Sequence, residues 1–405
     1  MPVLALDLNS FFASVEQQDA PELRNRPVAV APVQSETTSC IAASQAAKRH
    51  GVKTGTRIAE ARVLCPDIVI VQARPPRYVQ VHEAIKAVVE RLAPLLGPPP
   101  SIDEFICELP AGFQTWDGAV QLGRRIKRAI VEEVGECLTC SVGIAENPWL
   151  AKTASDMQKP DGLVVLRPED LPQALYRLEL RDLCGIGANM ERRLKEAGIR
   201  SVEQLCAASK LQLREIWGGV GGEDFWRRLR GEAWYQASTE RRSIGHSHVL
   251  PPEMRNERDG HAVIHRMLQK AAMRLRRLGL STGAMQISLR TIDRRHWQAD
   301  GRFGATSDSL ALGHHLDALW ARRPRGPGQP KLLKVGVVLG ELSEQGHETL
   351  PLFAEDRPKP ALNGMVDRIN QKFGKNTLYF GAAHRARDRA PMRIAFSRIP
   401  DAEVE

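Results

Sequence analysis

The sequence predicts a multidomain chain of the α/β and α+β classes, and three observations support this prediction. Strand-like apolar runs alternate with helix-like periods over residues 1–166, short helices follow from about residue 167, and strands and helices return after about residue 244. The chain has 405 residues, 42% of them hydrophobic, which is enough to bury more than one core.

The first part is expected to form one mixed-sheet domain, because short apolar runs alternate with amphipathic periods. Helices are expected over residues 78–96, 117–134 and 148–157. The apolar side of the first helix consists of Val81, Ile85, Val88, Val89 and Leu92. The expected strands are "VLALDLN", "PVAVAPV", "IVIVQA", "FICEL" and "LTCSVGIA".

From about residue 167 the pattern changes to short helices. The stretch "LCGIGANMERRLKEAGI" has the small-residue turn and following helix of a helix-hairpin-helix, in which the backbone around Gly185 and Gly187 can hold a phosphate. A simple structural turn is the alternative. A basic linker follows, and then a strand, a helix over 260–279, the strand "AMQISLRTI", a helix near 308–321 and the strand "KLLKVGVVL".

The net charge of +9 is unevenly distributed. Residues 1–166 hold 17 Lys and Arg against 19 Asp and Glu, whereas residues 167–405 hold 40 against 29. This asymmetry favours a chain whose later part grips a polyanion, although a solvated basic surface is the alternative. No leader or 18-residue apolar window is present, so we expect a cytoplasmic protein without a membrane segment.

Cys137 and Cys140 have CxxC spacing, but the second pair that a zinc site needs is missing. We therefore interpret "CLTCSVGIA" as a buried strand rather than a metal site.

Three acidic residues stand where strands are expected to begin or end. Asp103 and Glu104 are adjacent, and on a regular strand their side chains would point to opposite faces. The preceding Gly-Pro-Pro-Pro is expected to break the strand, so that both carboxylates can serve one site. Asp7 ends the first apolar strand. Three converging carboxylates suit two Mg²⁺ ions, while an exposed acidic turn is the alternative.

Three longer motifs resemble the signature blocks of the Y-family translesion DNA polymerases. These are "ALDLNSFFASVEQ", "SIDEF" and "VGIAENPWLAKTASDMQKPDG", in the family's order and spacing. "AAKRHGVKTG" resembles the fingers segment, "LCGIGANMERRL" the thumb hairpin and "RRSIGHS" the tether to the little finger. The N-terminal blocks are closer to the DinB type, and the tail is more similar to the UmuC branch.

The resemblance implies a right-hand polymerase with palm, fingers, helix-hairpin-helix thumb and little finger. The implied boundaries are palm 1–9 and 74–166, fingers 10–73, thumb 167–236, linker and little finger 237–345, and a C-terminal tail 346–405 with one short helix. The implied activity is low-fidelity, template-directed DNA synthesis past damage, by two-metal nucleotidyl transfer from dNTP. A catalytically weak or inactive member that binds DNA and the sliding clamp as a scaffold is the first alternative, and another palm-type nucleotidyltransferase is the second.

The resemblance also implies roles for particular residues. Asp7, Asp103, Glu104 and the carbonyl of Leu8 would hold two Mg²⁺ ions. Phe12 would block a ribose 2′-hydroxyl. Phe11 and Lys159 would contact the nucleotide, with assistance from Lys152.

The fingers depart from the family pattern. Gln45 and Lys48 stand where many relatives carry a Tyr and an Arg on the incoming phosphates. Since Lys lacks the bidentate fork of Arg, the grip on the triphosphate is expected to differ.

Basic residues of the later part are expected to contact the phosphates of primer-template DNA without reading its bases. A solvated outer face is the alternative for the helix arginines. The residues are Arg241, Arg242, Arg274, Arg276, Arg277, Arg290, Arg294 and Arg295. Trp217, Trp226 and Trp297 are instead expected to be packing residues.

"TLPLF" in the tail resembles the short peptide by which bacterial polymerases bind the sliding clamp. Its apolar anchors would be Leu350, Leu352 and Phe353, with docking onto the chain's own surface as the alternative. The tail is also a candidate binding segment for a further SOS-type protein partner.

Overall fold

The computed structural model describes residues 1–36, 38–232, 242–324, 326, 330–345, 360–374, 376–387 and 399. The described segments 1–232 and 242–387 belong to two compact units. Each unit has a hydrophobic core of its own. This organisation confirms the predicted multidomain α/β and α+β class.

The first sheet of the N-terminal unit has the strand order β5-β1-β6-β7. Strand β1 pairs antiparallel with both β5 and β6, whereas β6 and β7 run parallel. Almost all of β1 and β6 is buried, which explains their apolar composition. The strands are β1 Val3–Leu8, β5 Glu104–Cys107, β6 Cys140–Ala145 and β7 Leu163–Val165. The helices that follow in this part are α4 Pro75–Leu92, α5 Trp116–Glu133 and α6 Pro148–Met157.

Helix α4 begins and ends earlier than predicted. Pro75 occupies its first turn, where the missing N–H costs no hydrogen bond. The helix ends at Leu92 because Pro94 disfavours a helical backbone at Ala93, which is extended.

A second, smaller sheet lies in the region predicted as fingers, so the expected single mixed sheet is wrong. Its strand order is β3-β2-β4, with β2 and β4 parallel. A separate small core that includes Ala29, Ile58 and Ile68 stabilises it. The elements are α1 Phe11–Asp19, β2 Val28–Ala31, β3 Ala42–Ala43, α2 Gln45–Arg49, α3 Ile58–Leu64 and β4 Val69–Gln72.

Short helices follow, as predicted. They are α7 Ala188–Glu196, α8 Val202–Ala207, α9 Lys210–Trp217 and α10 Val220–Leu229. Phe225 of α10 stacks on Trp217 at 4.6 Å and meets Trp149 of α6 edge-on at 5.1 Å. Trp226 also packs against this core, which confirms that these tryptophans are packing residues.

The C-terminal unit is built on an antiparallel sheet with the order β10-β9-β11-β8. Its strands are β8 Ile244–Val249, β9 Leu280–Thr291, β10 His296–Thr306 and β11 Leu332–Glu344. Helices α11 Glu257–Arg277 and α12 Ser309–Ala321 join the sheet in one core. Trp297 packs partly against that core, as predicted.

Strand β10 was not expected from the sequence. This strand is polar at most positions, contains Gly301 and Gly304, and lies at the edge of the sheet, where little apolar surface is buried.

The described part of the predicted tail packs onto α11. The packing comes from a 3-10 turn at Gly381–Ala386, and helix α13 Pro360–Phe373 is joined to α11 through a side-chain ion pair. Asp367 receives two hydrogen bonds from Arg276, at 2.7 and 2.8 Å, and Arg385 donates to Asp259 at 2.6 Å. None of the helices in the described ranges combines the length and apolar character needed to cross a membrane.

Candidate active site

Asp7 and Glu104 are direct partners across two neighbouring strands. They are paired in the antiparallel register of β1 and β5, near the end of one strand and at the start of the other. Directly opposed residues share a face of the sheet, so both carboxylates lie on the same side. Asp7 is buried, and Glu104 is partly buried.

Asp103 reaches the same place from a turn. Residues Ser101 and Glu104 form an isolated bridge, which places Asp103 between them outside the regular strand. Its carbonyl accepts a hydrogen bond from the backbone N–H of Leu8 at 2.8 Å, and its carboxylate accepts one from the Ser101 hydroxyl at 2.6 Å. The broken pleat before Glu104 thus agrees with the expectation drawn from the prolines.

The electrostatics of Asp103 also place it with the other two acids. Burial raises the pKa of its carboxyl, and the negative charges of Asp7 and Glu104 raise it further, against the hydrogen bond from Ser101. Positive charge at this site would therefore favour ionised Asp103.

Two lysine ammonium groups supply positive charge in the structure. Lys152 Nζ contacts Asp7 and lies 2.9 Å from Glu104 Oε1, while Lys159 Nζ lies 2.5 Å from the other Asp7 oxygen. Both lysines also pair with Asp156. Burial lowers the pKa of Lys152, but the carboxylates of Asp7, Asp156 and Glu104 outweigh it and raise the pKa overall.

This arrangement fits divalent cations. The ammonium group of Lys152 already bridges Asp7 and Glu104, and that of Lys159 contacts the second oxygen of Asp7. The ligand atoms that these acidic side chains offer are all carboxylate oxygens. Hard cations such as Mg²⁺ take such oxygen ligands.

Phe11 and Phe12 begin α1, directly after the loop that follows Asp7, and both rings are buried. Phe12 stacks on Tyr78 of α4 with ring centroids 4.6 Å apart. The Tyr78 hydroxyl donates to Glu16 at 2.6 Å, and Arg74 also binds Glu16. The position of Phe12 is thus fixed by a buried network.

Gln45 and Lys48 lie on α2, in the region predicted as fingers. The amide of Gln45 donates to the hydroxyl of Ser10 at 3.2 Å. Burial lowers the pKa of Lys48, the positive charge of Lys159 lowers it further, and Asp7 opposes both. Lys48 is therefore close enough to the carboxylates and to Lys159 to share one electrostatic site.

No role was expected for Tyr78 from the sequence. Lys152 was expected to have only an assisting role, although this residue contacts both Asp7 and Glu104. Tyr78 lies three residues before Val81 and continues the apolar side of α4, so helical periodicity could have found it. Lys152 and Asp156 are spaced four residues apart on α6, a spacing that puts both on one face.

Gly185 and Gly187 precede α7 as predicted. Gly185 has φ +91°, a conformation that favours glycine, and Gly187 is the N-cap of the helix. Neither glycine carries a side chain that could cover the backbone N–H groups in the first turn of α7, and the space beside both is open.

The predicted DNA-contacting arginines divide into different environments. Arg276 is held by Asp367 and by Ser307 and Ser309, so it is removed from the phosphate-contacting set. Arg274 is partly buried at the end of α11. Exposed positions are Arg242, Arg277, Arg290, Arg294 and Arg295.

Arg290 belongs to a basic row that crosses the sheet of the C-terminal unit. It pairs in register with His296 on one side and with Lys334 on the other, and all three are exposed. Arg295, near its end, is paired with Asp293 at 2.9 Å. The sequence analysis did not single out Lys334. Arg241, Leu350, Leu352 and Phe353 lie outside the described residues.

Family models match most of the chain. The impB/mucB/samB family matches residues 6–156, and the C-terminal domain of that family matches 241–352. The thumb domain of DNA polymerase-iota matches 181–232.

Curated relatives match over nearly the whole chain. DNA polymerase IV of Moorella thermoacetica is 32% identical, and that of Pelotomaculum thermopropionicum is 30% identical. Each alignment covers 93% of this chain and 94% of the relative.

Solved structures agree in fold. A Y-family chimera of Dbh and Dpo4 has a TM-score of 0.70 at 24% identity, covering 84% of this chain and 99% of the chimera. An insertion ternary complex of Dbh DNA polymerase has a TM-score of 0.59 at 26% identity, covering 84% of this chain and 98% of Dbh. Together with the relatives and the geometry at Asp7 and Glu104, these similarities show that the chain belongs to the impB/mucB/samB family of DinB-like, Y-family DNA polymerases.

Proposed function

We propose that this protein is a low-fidelity, template-directed DNA polymerase that extends primers past damaged bases with dNTP and two Mg²⁺ ions. The observation that supports it most is the registered pair Asp7 and Glu104, joined by Asp103 and contacted by two cationic groups. The DNA polymerase IV relatives support the same reaction class.

The metal ligands proposed are the carboxylates of Asp7, Asp103 and Glu104 and the carbonyl of Leu8. Bound there, Mg²⁺ would lower the pKa of the primer 3′-hydroxyl and balance the charge of the leaving pyrophosphate. Residue Lys152 would leave the carboxylate oxygens that it contacts, because an ammonium and a metal ion compete for the same oxygens.

The chain's other side chains bind and orient the nucleotide. Lys159 and Lys48 supply positive charge for the triphosphate, and Gln45 positions the loop at Ser10. Phe11 and Phe12 line the sugar pocket. Tyr78 holds the Phe12 ring in place, so that a ribose 2′-hydroxyl would meet it.

We further propose that DNA is held through phosphate contacts. The exposed row with Arg290 and Lys334 presents positive charge on the sheet of the C-terminal unit, and the turn at Gly185 and Gly187 presents backbone N–H groups. Such contacts position a duplex without reading its sequence.

The segment "TLPLF" is proposed to bind the sliding clamp through Leu350, Leu352 and Phe353. Deleting residues 349–353 should abolish the stimulation of synthesis by the clamp and leave synthesis without the clamp unchanged. Equal loss of both activities would show that the segment has a structural role instead. A further protein partner of the tail remains part of this proposal, and a pull-down with the tail deleted tests it.

The proposed function is tested by primer extension on paired templates, one undamaged and one with an abasic site. The wild type should extend both primers with Mg²⁺ and dNTP, and Asp103→Asn should extend neither while still binding DNA. Extension that stops at the abasic site, and at every other lesion placed in the same template, would refute translesion synthesis. Absence of all synthesis by the wild type, with DNA binding retained, would indicate a non-catalytic scaffold.

A further inference from the structure

Two histidines and an aspartate form a cluster in the C-terminal unit, within a different compact unit from the palm carboxylates. His261 and His265 are one turn apart on α11, and Asp317 lies on α12. The Nε2 atoms of both rings lie 2.8 Å from the same oxygen, Oδ1 of Asp317. Three side chains from two helices thus converge on one point.

The geometry of this cluster is close to that of a metal site. The three candidate ligand atoms all lie within 4.8 Å of one another. Ligands of a tetrahedral zinc ion, with bonds of about 2.1 Å, are separated by about 3.4 Å. A small outward shift of the Asp317 side chain, which is 51% exposed, would make room for the ion.

The surroundings of His261 favour its neutral form, which can act as a ligand. Burial lowers the pKa of His261, and the charge of His265 lowers it further against the effect of Asp317. A neutral imidazole has the lone pair that a metal needs. The nearby guanidinium of Arg323 also lowers this pKa, but its charge is paired with Glu257 at 2.5 Å.

The ring orientations are fixed by packing. His261 and His265 meet edge-on with centroids 4.6 Å apart, and His261 lies 5.0 Å from the ring of Trp320. His265 is buried, whereas His261 is partly exposed. The ligands are therefore preorganised, and one side remains open for a water molecule as a fourth ligand.

The donor set determines the class of metal. Two imidazole nitrogens and one carboxylate suit Zn²⁺, Co²⁺ or Ni²⁺, whereas Mg²⁺ prefers oxygen-only sites such as the palm carboxylates. We propose that His261, His265 and Asp317 bind one divalent transition-metal ion of the zinc class, which links α11 to α12. The ion would stabilise the C-terminal unit by joining two helices of its core.

Cobalt is the probe for this site, because Co²⁺ in a nitrogen-containing site absorbs visible light. Full-length, untagged protein is titrated with Co²⁺ in excess Mg²⁺, so that Mg²⁺ competes for the oxygen-only site proposed at Asp7, Asp103 and Glu104. The wild type should saturate at one equivalent. His265→Gln and Asp317→Asn should each bind at least about tenfold more weakly. His314→Gln, which changes an exposed histidine on α12, should bind as the wild type does.

Thermal unfolding supplies a second measurement. Zn²⁺ should raise the Tm of the wild type and of His314→Gln, but not that of His265→Gln, and melting without metal shows whether each variant is folded. Equal Co²⁺ affinity in wild type and folded His265→Gln would overturn the proposal. The proposal would also be overturned if His265→Gln lowered the Tm without metal while Zn²⁺ did not change the Tm of the wild type. That result would show that the cluster is only a hydrogen-bonded contact.

Discussion

Asp7 and Glu104 face each other across neighbouring antiparallel strands, and one ammonium group, that of Lys152, contacts both carboxylates. Lys159 contacts the second oxygen of Asp7. The charge of the acidic pair is therefore balanced by two ammonium groups, and Lys152 contacts the carboxylate oxygens that the proposed Mg²⁺ ions would bind. This relationship leads to separate expectations for the lysines and for the acids.

Lys159→Ala should raise the KM for dNTP by about tenfold or more, because a charge-assisted contact to the triphosphate is lost. The affinity for primer-template DNA should change little. Steady-state incorporation of a single nucleotide, together with DNA titration, separates the two effects. Lys53→Ala is the matched control, since Lys53 is exposed between α2 and α3. A large loss of DNA affinity with unchanged KM would assign Lys159 to DNA instead.

Phe12→Ala should admit ribonucleotides. Removing the ring opens the space that a 2′-hydroxyl needs, so the ratio of kcat/KM for dNTP over rNTP should fall by about tenfold or more. Competing incorporation of matched dNTP and rNTP measures this ratio. Phe373→Ala removes a ring that is 65% exposed and serves as control. Unchanged discrimination in Phe12→Ala would show that this ring is only a packing residue.

Tyr78→Phe tests the support of that ring. The change removes the hydrogen bond to the buried carboxylate of Glu16, so the free energy of unfolding should fall by about 1–3 kcal/mol. Sugar discrimination should fall less than in Phe12→Ala, because the stacked ring remains. Urea unfolding and the same competition assay measure the two effects. A stable variant with wild-type discrimination would contradict a positioning role for Tyr78.

The sequence alone predicted those parts of the site that depend on local patterns. Asp7 ends an apolar run, and the prolines before Asp103 indicate a broken strand, so both positions follow from neighbouring residues. The register of Asp7 with Glu104 depends on pairing between distant segments. Local periodicity contains no information about that register, so the pairing of Asp7 with Glu104 was not predicted, although the three carboxylates were expected to converge.

Long-range contacts account for most of what the sequence did not predict. Arg276 was expected to face DNA, but its partner Asp367 lies on a helix far along the chain. Strand β10 was missed because an edge strand needs few apolar residues. The Phe12–Tyr78 contact likewise joins separate helices. The two side-chain contacts and the pairing of β10 all depend on which helices and strands pack together. That arrangement is set by the whole core and not by neighbouring residues in the sequence.

The basic row of the C-terminal unit should contribute to the salt dependence of DNA binding. Arg290→Ala with Lys334→Ala should weaken binding on any sequence, and the slope of log K against log salt should fall by about 1 for each lost phosphate contact. Fluorescence anisotropy over a salt series measures this slope. Lys372→Ala changes an exposed lysine on α13 and is the control. An unchanged slope in the double variant would place DNA on another surface.

Glu104 and its partners are proposed to hold the reactive metal ions, and single-turnover incorporation with Mg²⁺ measures this role. Glu104→Gln keeps the size of the side chain but removes the charge, so the rate should fall about a hundredfold or more, with DNA affinity retained. Glu108→Gln, an exposed acid just beyond β5, should keep the wild-type rate. Equal rates for Glu104→Gln and Glu108→Gln would contradict the account.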